Sequence, residues 1–335
     1  MEIRRVVVVG AGAIGGWLAA GLDKAGADVS LLARGATLQA LQRHGLRLRE
    51  GDQEVSHSLR ASAQVADLGQ PDLVVLAVKA PALAAVAPQV RALLGPKTVV
   101  LTAMNGVPWW FLHGLDTPLR QRALRSVDPN GDIAAAIPPE RVIGGVVHAS
   151  CSTDAPGIVR RHFGNKLIIG EPVGGTSPRL QALEALLQRS GLELETSSRI
   201  QRDIWFKLWG NMTMNPVSAI TGAPCDRILD DELVRGFCSA VMREAQAIGA
   251  RIGIPIDQQP EDRHAVTRKL GSFKTSMLQD VEAGRPIELD ALVGAVREIG
   301  RHLGEATPNM DALMGLTRLT GQMRGLYPEP TKTPQ

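Results

Sequence analysis

The stretch VVVVGAGAIGG, residues 6–16, sets the fold. Four valines read as a buried strand, and the glycines that follow open a helix. Gly10, Ala11, Gly12, Ala13, Ile14 and Gly15 carry the spacing G-x-G-x-x-G. Gly10 suits a tight turn, Gly12 lets the backbone approach a pyrophosphate, and Gly15 lets the helix pack closely on the strand. The helix N-terminus then attracts the phosphate charge. Taken alone the spacing is weak evidence, since an ordinary Gly-rich turn also supplies it. Its position after a strand and before a helix, at the start of a βαβ unit, is the context a dinucleotide site requires.

Working outward, RRVVVVG (4–10) predicts a strand, AIGGWLAAGLDKAGA (13–27) a helix and DVSLLAR (28–34) a second strand. NAD binders place an acid at the end of that second strand, against the ribose 2′-hydroxyl. This chain has Arg34 there, and a guanidinium grips a 2′-phosphate, which selects NADP(H) over NAD(H). The bland alternative is a solvated loop arginine. Residues 46–62 alternate around Glu-Gly-Asp as a hairpin. PDLVVLAVK (71–79) and KTVVLTAMN (97–105) predict further strands around an Ala-rich helix, and 141–151 and 164–172 two more. Residues 177–191 form a helical pattern ending at Gly191. Ligands of open α/β sheets sit beyond the carboxyl ends of the strands, so Lys79 and Asn105 are expected to face the cofactor. After residue 196 helical periodicity dominates to about 324. The expected class is therefore α/β: a Rossmann-type parallel-sheet domain over 1–195 and an all-helical domain over 196–326. A Pro-rich tail, 327–335, is expected to be disordered.

Length and composition exclude several functions. The chain has 335 residues, 44% hydrophobic and 21% charged, as two ordinary globular domains do. A formal charge of +3 without a long basic run argues against nucleic acid. Cys151, Cys225 and Cys238 form no metal-ligand spacing and no disulfide framework, so no metal is expected. There is no secretory leader pattern and no apolar run long enough to span a bilayer, so the expected compartment is the cytoplasm.

The stretch WFKLWGNMTMNP, 205–216, is the second informative one. Lys207, Asn211 and Asn215 recur every fourth residue and share one helix face, over roughly 12 Å. Burying an unpartnered ammonium and two amides is expensive, so this stripe either faces solvent or lines a polar cleft. Asn-Pro at 215–216 is expected to kink or end the helix. His148 and His162, in predicted strands, read as surface or satisfied core histidines.

GAGAIGG, LLAR, AVK, MNG, WFKLWGNMTMNP and SMLQDVEAGRPIELD follow one another in the order found in the ketopantoate reductase family. The chain resembles that family from residue 3 to about 320. The resemblance implies a helical domain like that of 6-phosphogluconate dehydrogenase, an active site between the domains, and NADPH-dependent reduction of a 2-keto acid. It implies that Lys207 is the general acid and Glu288 its carboxylate partner. Asn211 and Asn215 match substrate-contacting amides, and Ser276 a hydroxyl near the substrate carboxylate. Asn105 matches a residue touching nicotinamide and substrate, and Lys79 a lysine beside the cofactor. Four positions depart from the pattern. Cys225 stands where the family carries an Asn, Trp109 and Trp110 crowd the segment after Asn-Gly, and Ile287 replaces a common Thr. These leave two alternatives to ketopantoate reduction: a reductase of another 2-keto acid, and a non-catalytic NADP(H) sensor. A homodimer is also left open.

Overall fold

The computed structural model describes residues 2–329. The chain divides into two compact units, Met1–Met104 with Asn130–Asp203, and Asn105–Pro129 with Ile204–Gln335. The sequence boundary near 195 differs from this division: residues 105–129 group with the helical unit, and the division falls at 203/204.

The first unit runs β1 (Arg5–Val9), α1 (Ala13–Lys24), β2 (Asp28–Leu32), α2 (Gly35–His44), β3 (Leu46–Glu50), β4 (Gln53–His57) and β5 (Arg60–Ser62). It continues through β6 (Leu73–Leu76), α3 (Leu83–Leu93), β7 (Val99–Thr102), α4 (Asp132–Ala136), β8 (Val142–Ala155), β9 (Ile158–Gly170), α5 (Pro178–Leu187) and β10 (Glu193–Thr196). Strands β5-β2-β1-β6-β7-β8 lie side by side and parallel. This is the order of a doubly wound nucleotide-binding sheet. Their apolar runs are buried because helices cover a parallel sheet on both faces. The Val6–Val9 side chains are at most 2% exposed, which is why four consecutive valines, rather than an alternating pattern, mark this strand.

Beyond β8 the sheet changes character. β9 runs antiparallel to β8, with register breaks near His148–Cys151 and Thr153–Ala155. Such bulges bend a sheet. β9 carries β3 and β10 as parallel neighbours, and β3 carries β4 antiparallel. Of the hairpin expected over 46–62, residues 46–57 form one, whereas 60–62 pair parallel with β2 as β5; its β3 also joins β9, a partner more than a hundred residues away. A Cβ on Gly16 would stand 2.6 Å from Val159 and 3.2 Å from Leu46, so α1 packs tightly on this bent extension.

The second unit contains no strand among the described residues. Its helices are α6 (Ile200–Thr221, the first four residues of which fall in the first unit), α7 (Cys225–Asp230), α8 (Glu232–Arg251), α9 (Pro260–Arg268), α10 (Ser276–Glu282), α11 (Ala295–Leu303) and α12 (Pro308–Met323). A π-helical turn, Asp290–Gly294, leads directly into α11. The Trp209 indole donates to the Met242 carbonyl at 2.8 Å, tying α6 to α8. Phe111 stacks on Trp205 with centroids 5.7 Å apart. Trp109 and Trp110 are 7% and 1% exposed. Residues 105–129 therefore insert aromatic side chains into the helical core, and the two tryptophans are core residues rather than lining of an open cleft.

Of the two outcomes expected at Asn215–Pro216, a kink or an end, the end does not occur: α6 continues five residues past Pro216. The proline nitrogen carries no hydrogen, so the carbonyl four residues back, at Met212, loses its usual donor while the surrounding core holds the helix together. The expected disordered tail, 327–335, is anchored at its start: the Tyr327 hydroxyl donates to Asp290 at 2.7 Å. The remainder of that tail, 330–335, lies outside the described residues. Among the described residues, no helix is long and apolar enough to cross a membrane.

Candidate active site

The glycine loop occupies the turn from β1 to α1. Gly10 has φ 99°, and a Cβ there would meet the Ala77 carbonyl at 2.7 Å. A Cβ on Gly15 would lie 1.8 Å from the Gly10 carbonyl, so only glycine allows the helix to start this close to the strand. Around Gly12, by contrast, a Cβ would meet nothing within 4 Å. The loop is thus packed from beneath at two glycines and open at the middle one. Gly12 caps α1 without a side-chain bond, and no acid occupies the first turn, which begins Ala13-Ile14. Amide donors with open space and no competing carboxylate fit a dinucleotide pyrophosphate.

Arg34 is exposed at the N-cap of α2, two residues past β2. Lys79 is exposed three residues past β6, where a short 3-10 turn begins. Gly10, Arg34 and Lys79 thus all follow the carboxyl ends of adjacent parallel strands. Asn105 lies three residues past β7 but belongs to the second unit.

In that second unit the polar stripe of α6 meets the other expected residues. The Lys207 Nζ donates to Asn105 Oδ1 at 2.8 Å. Desolvation pushes the Lys207 ammonium down to about 8, from an ordinary 10.5. The Glu288 charge raises it and the Arg263 charge lowers it, so the contest between burial and the carboxylate ends in favour of burial. Glu288 itself is 8% exposed, just before the π-turn. Asn215 Nδ2 reaches Ser276 Oγ at 3.5 Å, the long limit of a hydrogen bond. Ser276 is fixed at the start of α10, beside Thr275, whose hydroxyl shares a 2.5 Å hydrogen bond with Ser218 of α6. Asn211 is half-buried one turn beyond Lys207.

The Asn105 segment is locked onto the π-turn. The Val107 amide donates to the Ala291 carbonyl at 2.8 Å. Gly106 has φ 81°, and a Cβ there would be 2.6 Å from the same carbonyl. Asn-Gly at 105–106 is therefore a positioning device: the glycine permits the close approach that sets Asn105 against Lys207, next to the turn that follows Glu288. Irregular π-turns of this kind are frequent at functional sites. Cys225, the departure from the family pattern, is 2% exposed, and burial pushes its thiol up to about 11. Ile287 is 3% exposed, and its backbone bonds to Leu326. Both are packed rather than poised for chemistry. No sequence pattern marks Arg263, whose place beside Lys207 arises only from the packing of α9 on α6.

A doubly wound sheet with a glycine-loop nucleotide cradle, in one chain with a helical unit whose half-buried Lys207 feels the charge of Glu288, fits an oxidoreductase acting on CH–OH groups with a nicotinamide cofactor. Residues 6–174 match the family model described as ketopantoate reductase PanE/ApbA. Residues 199–320 match the model of its C-terminal part. A 2-dehydropantoate 2-reductase of Mesorhizobium japonicum is 45% identical over 324 residues, covering 96% of this chain and 99% of that protein. A crystal structure from Ralstonia solanacearum MolK2, given as a candidate ketopantoate reductase, is 58% identical with a TM-score of 0.94, covering 97% of this chain and 100% of the other. That of 2-dehydropantoate 2-reductase from Methylococcus capsulatus is 27% identical with a TM-score of 0.81, covering 96% and 97%. The chain belongs to the ketopantoate reductase family.

Proposed function

We propose that this protein reduces 2-dehydropantoate to pantoate with NADPH, using Lys207 as general acid. The observation that carries the reading is the hydrogen bond from Lys207 to Asn105 in a site where desolvation sets the ammonium near 8. A nicotinamide nucleotide held at the Gly10–Gly15 loop would supply the hydride that the keto carbon accepts. As charge builds on the keto oxygen, the Lys207 ammonium stabilises it and donates a proton to it. Asn105 orients that ammonium, and Glu288 keeps it charged in surroundings that favour the neutral amine. Asn211, Asn215 and Ser276 offer neutral donors and acceptors for the rest of the substrate. A sensor needs no proton donor, so the Lys207–Asn105 pair favours an enzyme. Three cysteines without disulfides suit a cytoplasmic setting.

The test follows the absorbance of NADPH with purified protein and a panel of 2-keto acids. Turnover should be fastest with 2-dehydropantoate. Faster turnover of a bulkier keto acid shifts the substrate assignment. Tight NADPH binding without turnover of any of them replaces the enzyme by a sensor.

Arg34 supports NADPH over NADH in this reading, by pairing with the 2′-phosphate. Arg34→Ala should weaken NADPH binding about 10- to 100-fold, the scale of a lost charge-assisted pair. NADH binding should hardly change. Fluorescence titration of both nucleotides decides it, and equal losses remove the 2′-phosphate role.

A further inference from the structure

Arg263, on α9, stands apart from the other arginines of the second unit. Its guanidinium lies over the Phe206 ring, 5.6 Å from the centroid. It also lies against the bare backbone of α6: a Cβ on Gly210 would come 2.8 Å from its Nε and 3.2 Å from one terminal nitrogen. The Nε is buried and has no hydrogen-bond partner. Among the described residues no carboxylate pairs with Arg263, whereas Arg268, on the same helix, pairs with Asp230 at 2.7 Å. Burial disfavours its charge, and that charge in turn is felt at Lys207. A half-buried guanidinium that has no carboxylate of its own and feels the Lys207 charge is unfavourable unless an anion completes it. Phe206 and Gly210 stand one turn apart on α6 and directly precede Lys207 and Asn211, so the cation borders the polar stripe.

We propose that Arg263 is a further substrate-binding residue, seated in the slot left by Gly210 and over Phe206, whose guanidinium takes the carboxylate of the keto acid. This rests on the reading of Lys207 as the group that meets the keto oxygen. In a 2-keto acid the carboxylate is bonded directly to the keto carbon, so a site that places the oxygen at Lys207 needs its second cation close by. Ser276 and the two asparagines are neutral, and the thiol at Cys225 is buried, so none of them supplies that charge. Arg263 does, with a planar fork that suits a carboxylate. Gly210 gains a reason as well: it keeps helix geometry while giving the guanidinium room.

The experiment compares wild type, Arg263→Met, Arg263→Lys and Gly210→Ala, each first checked by thermal unfolding. Oxamate, a non-reducible 2-keto acid analogue, is titrated by calorimetry into the NADP⁺-saturated protein, and kcat/KM is measured for a 2-keto acid and for its uncharged methyl ester. Arg263→Met should weaken oxamate about 10- to 100-fold, leave NADP⁺ binding unchanged, and lower the acid-to-ester preference by a similar factor. Arg263→Lys should recover part of the loss. Gly210→Ala, which displaces the guanidinium without removing it, should lose oxamate affinity too. Oxamate binding at wild-type strength in Arg263→Met overturns the proposal, as does an unchanged acid-to-ester ratio. Wild type that binds oxamate through Arg263 but reduces no keto acid refutes the enzymatic reading and leaves the anion site standing.

Discussion

Lys207→Ala should lower kcat for keto-acid reduction about 10²- to 10⁴-fold, the usual contribution of a positioned general acid. NADPH binding should be nearly intact, because the nucleotide cradle at Gly10–Gly15 is built by the other unit. The pH profile gives a second signature. Donation requires the protonated amine, and desolvation holds Lys207 at about 8. The wild-type kcat/KM should therefore be level below that value and fall as pH rises through it. An ordinary lysine would hold its proton to 10.5. The Glu288 charge raises Lys207, so Glu288→Gln should move the falling limb to lower pH. Steady-state rates over pH 6–10, a range chosen to bracket that limb, test all three expectations. A Lys207→Ala enzyme with near-normal kcat ends the acid assignment. A limb that stays put in Glu288→Gln removes the electrostatic role given to the carboxylate.

What could be read from the chain was whatever short-range chemistry writes into neighbouring residues. The glycine spacing at 10–15 dictates a turn and a helix start whatever else the chain does, and four consecutive valines dictate a strand covered on both faces. Lys207, Asn211 and Asn215 fall on one face by helical period alone. Other features depend on partners far away in sequence. The addition of β3 to β9 is a pairing across more than a hundred residues. Asn105 follows a strand of the sheet, yet its segment is held by the π-turn at Ala291 and by buried aromatics, which no local pattern announces. Pro216 reads as a helix breaker, but α6 is buried between neighbours and tolerates one missing backbone bond. Arg263 has no motif; its meaning comes from Gly210 and Phe206, both on another helix.

Glu298→Ala should be strongly destabilising, although it removes no large apolar side chain. Glu298 is 5% exposed, on α11. One carboxylate oxygen accepts from the Arg125 amide at 2.8 Å. The other accepts from the Ser126 amide at 2.7 Å and the Ser126 hydroxyl at 2.6 Å. Three donors of the 105–129 segment thus converge on one carboxylate. Removing it leaves them partly buried without an acceptor, a loss of about 2–4 kcal/mol. For a unit of this size that lowers Tm by roughly 5–15 °C. Burial pushes the Glu298 carboxyl up, but the Ser126 hydroxyl and the two backbone amides outweigh it, and the group ends below its ordinary 4.5. The sign follows from that depression. Its stabilisation is fully present above about 4.5 and is lost as pH falls through the lower folded value. The difference between wild type and Glu298→Ala should therefore be largest near neutral pH and shrink in acid. Because the same segment carries Asn105, the variant should also lose kcat while NADPH binding persists. Thermal unfolding at neutral and acidic pH, with rates measured well below the lowered Tm, separates the two effects. An unchanged midpoint at neutral pH, or a deficit that does not shrink in acid, refutes the claim that this carboxylate holds the Asn105 segment in place.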